Sequence, residues 1–296
     1  MKAFTQNPHR KPYPEISPLL PALSQENRTV LVTGGASGIG YAIVRAFVLA
    51  RAGRVIIVGR REKAVNDAAS SLKSEIESSS SSPFQSEISG RVCDISALDD
   101  IDRLWDELAQ EGINVDVVVS NAASFSQNRP VLELGVETLL DDYKVNVLAG
   151  YRFAQRLEKQ NSEAKKYFVN VSTIAVHNPD MAPTNLNYGA SKNAAALLLQ
   201  LITRDVSSVK LQIISFHPGA VLTQTAREHG YDENTLPWDD ENLPGQFAVW
   251  AASDRAEFLH GRVLHASWDA TELRTGKTRA LLDNDPNLLK VGVTGL

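Results

Sequence analysis

The 296-residue sequence predicts a single α/β domain built on a doubly wound parallel sheet, and three observations predict it. Short apolar runs alternate with longer helical patterns, the runs lack strict polar–apolar alternation, and no change of composition between residues 28 and 266 marks a linker. Strands covered by helices on both faces have no solvent side, so they read as continuous apolar runs. Strand–helix–strand order then points to a doubly wound sheet. The strand candidates are TVLVT (29–33), RVIIVG (54–59), GRVCDI (90–95), VDVVVSN (115–121), KYFVNVS (166–172) and LQIISFHPG (211–219). Helical patterns lie between them at 40–52, 61–76, 97–110, 136–160 and 188–206.

Residues 1–27 are rich in proline and read as an irregular arm. They lack the apolar core of about 7–15 residues that a secretory signal needs, so a cytoplasmic location is expected. The domain is expected over 28–268, with a serine-rich insertion at 74–90, whose Pro83 and serines stop a helix, and a tail at 269–296. Residues 220–246 form the longest strandless stretch after the core and are expected to close over a ligand as a lid, with Phe125, His177, Met181 and Trp238 as a mixed, largely aromatic wall.

A net charge of −5, a pI near 5.7 and no basic cluster argue against a nucleic-acid partner, which would need Lys and Arg gathered on one face. No run approaches the roughly 20 apolar residues of a membrane span. The lone Cys93 excludes an intrachain disulfide and reads as small apolar packing. The six histidines show no pairing at metal-ligand spacing, so no metal is expected.

The first strand runs directly into Thr33-Gly34-Gly35-Ala36-Ser37-Gly38-Ile39-Gly40 and then into a helix with apolar Ile43, Val44, Phe47 and Val48. A turn from strand to helix needs unusual φ/ψ values. Missing side chains let the backbone approach a pyrophosphate, whose charge the helix N-terminal N–H groups stabilise. Farther along, Tyr188 and Lys192 lie one helical turn apart on one face. A phenol's pKa of about 10 is too high for acid/base work near neutrality, and an adjacent ammonium lowers it. The second strand ends in Gly59-Arg60-Arg61 with no Asp or Glu to accept from a ribose 2′-hydroxyl. Gly59 leaves space there, and the Arg60 guanidinium can bind a 2′-phosphate, with Arg61 beside it.

Taken in order, these motifs resemble those of the short-chain dehydrogenase/reductase family, whose domain is Rossmann-like, and the resemblance covers roughly residues 28–225. It extends to segments similar to fungal natural-product-type members. It implies a cofactor site of Thr33, Gly34, Ser37, Gly38, Ile39, Gly40, Arg60, Arg61, Asp94, Ile95, Asn121, Ala122, Tyr188, Lys192, Pro218, Gly219, Val221 and Thr223. NADP(H) is favoured over NAD(H). Ala123 stands where the family has glycine, and Ser37 where some NADP-preferring members have a basic residue. The implied chemistry interconverts a ketone and a secondary alcohol: Tyr188 as general acid/base, Lys192 tuning it, Asn146 bending its helix and supporting a proton relay, and Thr173 or Ser172 binding the substrate oxygen. Thr173 is favoured because it takes the second place of the family's Ser-Ser pair, with a small insertion expected at His177–Met181. Thr223 contacts the nicotinamide carboxamide, caps the next helix, or does both. The substrate is expected to be cyclic and secondary-metabolite-like, and the chain a homodimer or homotetramer. A non-redox isomerase or cyclase on the same fold, or an NADP(H)-sensing binding protein, are the competing readings; loss of Tyr188 or Lys192 would favour them, and both residues are present.

Overall fold

The computed structural model describes residues 4–79, 86–125, 129–181 and 185–293. Among the described residues, seven parallel strands form one sheet in the order β3-β2-β1-β4-β5-β6-β7. They are β1 (Thr29–Thr33), β2 (Arg54–Gly59), β3 (Glu87–Val92), β4 (Val117–Ser120), β5 (Lys166–Val171), β6 (Leu211–His217) and β7 (Val263–His265). The chain order reverses between β1 and β4, so a crevice opens at the carboxyl ends of these two strands.

The helices are α1 (Gly38–Leu49), α2 (Glu62–Ser79), α3 (Leu98–Gln110), α4 (Val136–Tyr143), α5 (Ala149–Glu158), α6 (Leu186–Asp205), α7 (Gln224–Glu228), α8 (Asn242–Ala251), α9 (Ala270–Arg274) and α10 (Gly276–Asn284). One face of the sheet buries Val30, Val32, Val169 and Phe216 against Ile43 and Phe47 of α1 and Phe247 and Trp250 of α8. The other buries Leu31, Ile56, Val118 and Phe168 against Trp105, Phe153 and Leu199 of α3, α5 and α6. Alternate strand residues thus serve opposite cores, which is why the runs carry no polar positions. Helix α8 touches α1 backbone to backbone: a Cβ on Gly245 would stand 2.5 Å from the carbonyl oxygen of Ala42.

Four details differ from the sequence reading. Strand β3 covers 87–92 rather than 90–95, because Gly90 is the point where α2 crosses the strand, and a Cβ there would lie 2.9 Å from the carbonyl carbon of Val65. Cys93 is buried just beyond the strand, and burial pushes its thiol up to about 12, in keeping with a packing role. Helix α2 runs on to Ser79, past the expected stop at residue 76; residues 80–85 of the serine-rich insertion, with Pro83, lie outside the described residues. The pattern at 136–160 is two helices joined by a π-helical turn, Lys144–Leu148. Finally, β7 is a seventh strand of only three residues, too short to register as a run.

The described residues of the arm, 4–27, have no long helix or strand, yet they are well packed. Tyr13, Ile16 and Leu23 are buried in the same core cluster as β1 and α8, with short 3-10 turns at Pro14–Ile16 and Pro21–Leu23. The tail joins it through Leu273 and Leu282. No described helix is long and apolar enough to cross a membrane.

Candidate active site

The glycine turn closes at the end of β1. Gly34 and Gly38 have φ of +65° and +52°, a region that is costly for residues with a Cβ. Gly40 has an ordinary backbone but no room, since a Cβ would fall 2.1 Å from the carbonyl oxygen of Gly34. Helix α1 therefore begins hard against the strand end, and its first N–H groups, which have no intrahelical acceptor, face the crevice mouth. Ser37 is its N-terminal flanking residue and Ile39 lies in its first turn. Asn121, just after β4, fixes the turn across the switch point: its amide donates to the carbonyls of Thr33 (3.0 Å) and Gly34 (3.3 Å). In return the Thr33 hydroxyl accepts the N–H groups of Asn121 (3.0 Å) and Ala122 (3.1 Å). A glycine cradle with free N–H donors suits a dinucleotide pyrophosphate.

The far end of the cradle meets the opposite wall, because a Cβ on Gly38 would stand 3.1 Å from Cγ2 of Thr223. Thr223 caps α7, its hydroxyl accepting from the N–H of Ala226 at 3.2 Å. Pro218, Gly219 and Val221 form the loop between β6 and Thr223. On the other side, Arg60 and Arg61 are exposed at the end of β2, and their guanidinium groups have no hydrogen-bond partner among the described residues. Burial acts to raise the Asp94 carboxyl. The N–H (3.0 Å) and hydroxyl (2.8 Å) of Ser96 and the charge of Arg60 outweigh it and hold Asp94 below the usual range. Ile95 beside it is buried. Asp94 and Arg60 thus share one side of the crevice, with no carboxylate at the β2 end.

Tyr188 and Lys192 stand one turn apart on α6, whose N-terminus Asn185 caps by accepting from the Tyr188 N–H. Lys192 is 3% exposed, and its ammonium donates to the carbonyl of Val171, the last residue of β5, at 2.6 Å. Burial pushes it down to about 8. Tyr188 keeps some residue exposure, but its phenol is enclosed, and burial pushes it up from its ordinary value. This reverses the lowering expected from the adjacent ammonium: both groups are desolvated, and Lys192 spends its contact on a carbonyl rather than on the phenol. Asn146 lies in the π-helical turn, its amide oxygen accepting from the Ser124 N–H (2.9 Å) and its nitrogen donating to Ser124 O (3.0 Å) and the Ser191 hydroxyl (2.9 Å). It locks the chain after Asn121 to α6, beside the Tyr188–Lys192 turn.

The two hydroxyl candidates are inequivalent. Ser172 Oγ is buried without a hydrogen-bond partner among the described residues. Thr173 is part-exposed and caps the 3-10 turn Ile174–Val176, its oxygen accepting from the Ala175 N–H at 3.3 Å, which leaves its proton free to donate.

A family model described as short chain dehydrogenase matches residues 28–234. The chain belongs to the short-chain dehydrogenase/reductase family. The short chain dehydrogenase/reductase AacuD of Aspergillus aculeatus is 32% identical over 98% of this chain and 96% of that protein. nsrO of Aspergillus novofumigatus is 32% identical over 87% and 86%. Two solved structures share the fold: the Pseudomonas aeruginosa RhlG/NADP active-site complex (TM-score 0.72, 21% identity, 83% of this chain and 97% of that one) and L-sorbose reductase of Gluconobacter frateurii with NADPH and L-sorbose (0.71, 19%, 82% and 96%). As a short-chain dehydrogenase/reductase, the protein is an oxidoreductase of CH–OH and C=O groups, acting on small molecules with a nicotinamide cofactor.

In this short-chain dehydrogenase/reductase the Phe125 ring stacks on Tyr188 (centroids 4.3 Å apart), with His229 of the 220–246 segment 6.1 Å from Phe125. His177 and Met181 are exposed, and Trp238 packs edge-on to Tyr231 while donating to Asp232 O at 2.7 Å. Spacing along the chain had set the histidines apart, but the fold brings three together. His217 and His265 end neighbouring strands in register, and Nε2 of His265 lies 3.3 Å from Nε2 of His177. Trp268 stacks flat on His265. Their adjacency in register was the available signal, but it required β7. Among the described residues, no group of three or more His, Cys, Asp or Glu side chains is arranged to hold a metal.

Burial holds His217 and His265 neutral, pushing His217 down to about 4 and His265 to about 3 with the neighbouring rings adding to the effect, and it also lowers the more exposed His177. An unfolded histidine binds its proton near pH 6.5, so between that pH and the folded values the unfolded chain holds more protons. Stability present at neutral pH is therefore lost as pH falls below about 6.5. Urea unfolding at pH 7 and pH 5 should differ by about 2 kcal/mol for each of the two buried rings, His217 and His265. A His265→Asn variant should show a shallower slope, and an unchanged slope would contradict this reading.

Proposed function

We propose that the protein is an NADP(H)-dependent ketoreductase, interconverting a ketone and a secondary alcohol on a small, cyclic, secondary-metabolite-like substrate. The observation that carries it is the buried Tyr188–Lys192 pair on α6, packed beside the Thr173-capped turn, where Gly189 meets Ala175 with only 3.2 Å for a Cβ. The fungal short-chain dehydrogenase/reductase relatives and the half-exposed Phe125 ring beside Tyr188 support this substrate class.

When bound, the nicotinamide supplies or accepts the hydride. Tyr188 gives its proton to the substrate oxygen as negative charge develops there, and burial keeps the phenol protonated at neutral pH, the state that reduction requires. Thr173 donates a second hydrogen bond to the same oxygen, as an oxyanion donor. Lys192 places a cation near the phenolate left by proton transfer and near the cofactor ribose, while Asn146 holds the helix that carries the pair. Ser172, enclosed behind the strand end, is left out of the substrate shell.

Assays with NADPH and a panel of cyclic ketones test this. Tyr188→Phe should lose about 10²–10⁴ in kcat and Thr173→Ala about 10²–10³, while Ser172→Ala changes kcat by less than about fivefold. Because burial brings Lys192 down to about 8, reductive kcat should fall as pH rises through about 8 rather than near 10. Turnover that survives Tyr188→Phe would overturn the mechanism.

The cofactor preference rests on Arg60, exposed beside Asp94 at a β2 end without a carboxylate. RhlG and L-sorbose reductase are described with NADP and NADPH, which supports the same choice. Fluorescence titration should find NADPH bound at least about tenfold more tightly than NADH, with most of that ratio lost in Arg60→Ala, in line with about 1.5–3 kcal/mol for a charge-assisted hydrogen bond. Equal affinities in the unaltered protein would refute the preference.

Exposed Leu140, Leu148, Tyr151, Leu197 and Leu201 on α4, α5, α6 and the turn between α4 and α5 support self-association through these helices. Light scattering should give the mass of a dimer or tetramer, and a 32 kDa particle at micromolar concentration would exclude it.

A further inference from the structure

The arm precedes the span matched by the family model, residues 28–234, yet it makes two sets of contacts with the substrate side of the fold. The first set anchors it to the segment after β7. The His9 N–H donates to Ser267 O (2.7 Å), and the His9 ring lies 2.8 Å from the Asp269 carboxylate and stacks on Tyr13. The Tyr13 hydroxyl donates to Trp268 O (2.8 Å), and the Glu272 carboxylate accepts the N–H groups of Gln6 (2.7 Å) and Asn7 (3.0 Å). With both sides of this short stretch held, Arg10 has a fixed place.

The second set runs from Arg10 to the lid base. Its guanidinium donates to Pro237 O at 2.7 Å, and its own carbonyl accepts the Asp240 N–H at 2.8 Å. Asp239 stands between those two residues. Its N–H donates to Ala220 O (2.7 Å) and its carboxylate accepts the Ala220 N–H (2.8 Å), so lid base and loop close a two-bond ring. The carboxylate fills the space above Gly219, where a Cβ would lie 2.6 Å from Oδ2 and φ is +96°. Burial raises the Asp239 carboxyl and the charge of Arg10 draws it back. Gly219 and Ala220 lie in the loop that joins β6 to Thr223, against the glycine cradle.

We propose that Arg10 and Asp239 are positioning residues: the arm, through Arg10, holds the lid base in the register that lets Asp239 pin the Pro218–Val221 loop. Arg10 touches neither cofactor nor reacting atoms and acts through Asp239. Its loss loosens lid and loop while α6 and the Tyr188 and Lys192 pair stay in place.

Hydrogen–deuterium exchange on the full chain tests this without any assumption about the reaction. Arg10→Ala should speed exchange of peptides covering 218–222 and 237–242 about tenfold, with α6 unchanged and the melting temperature within 2 °C. Arg10→Lys, which keeps one donor and the charge, should recover most of the protection. Exchange at 218–222 no faster than in the unaltered protein, or a general rise that includes α6, would overturn the proposal. Where a ketone is turned over, which is the separate test of the ketoreductase reading on which the kinetic consequence rests, Arg10→Ala should raise the KM values for ketone and for NADPH about five- to tenfold, with kcat within twofold. Failure of all turnover would sink that reading and leave the exchange result to decide this one, whereas turnover with KM unmoved counts against Arg10 alone.

Discussion

The geometry of the cofactor side depends on one close approach, that of Gly40 to the carbonyl of Gly34. With 2.1 Å available to a Cβ, only glycine lets α1 start where it does, and that start aims the free N–H groups of the helix at the crevice. A turn this tight needs its own carbonyls satisfied, and Asn121 does so from the next strand across the switch point. One side chain therefore both closes the turn and joins β1 to β4 where the sheet order reverses. The close contact of α8 with α1 at Gly245 backs this arrangement from the far side of the helix.

The catalytic side is governed by desolvation. An ammonium and a phenol share an enclosed stretch of α6, and each is driven toward its neutral form. In water their proximity would favour the phenolate and the ammonium, the state suited to accepting a proton from an alcohol. In this site the carbonyl of Val171 helps to retain the Lys192 proton, while Tyr188 stays protonated, the state suited to reducing a ketone. The neutral histidines follow the same rule, as rings packed edge to face or flat against Trp268 have little room for hydration.

What the sequence reveals here divides by range. The glycine turn, the helix after it and the Tyr188–Lys192 spacing are local, since each depends on residues within a turn or two, and the structure places them where periodicity and steric reasoning put them. The π-helical turn at Asn146 was invisible to periodicity because its causes, Ser124 and Ser191, arrive from other parts of the chain. Gly90 misled for the same reason: it suggests a strand start by local rules, but α2 crossing above it explains its missing side chain. The meeting of His177, His217 and His265 depends on a three-residue strand at the sheet edge, and the arm's role depends on contacts spanning most of the chain.

The contrast between Ser172 and Thr173 shows how little sequence distance separates a buried hydroxyl from a usable one. Ser172 still belongs to the ladder, its N–H donating to Phe216 O at 2.7 Å. By the two-residue repeat of a strand its side chain follows Asn170, which bonds Ser215 across the same face, and so it turns under α6. Thr173 is the first residue past the ladder. Its extended backbone, φ −148° and ψ 157°, opens the 3-10 turn, and capping that turn fixes the oxygen while leaving the proton unspent. A β-branched residue suits the place, because its restricted χ1 holds the hydroxyl in one direction and limits the entropy lost when it meets a substrate oxygen. On the proposed mechanism the strand's end therefore selects the donor: the fold encloses one hydroxyl, and the first residue past the ladder keeps its proton for the substrate oxygen.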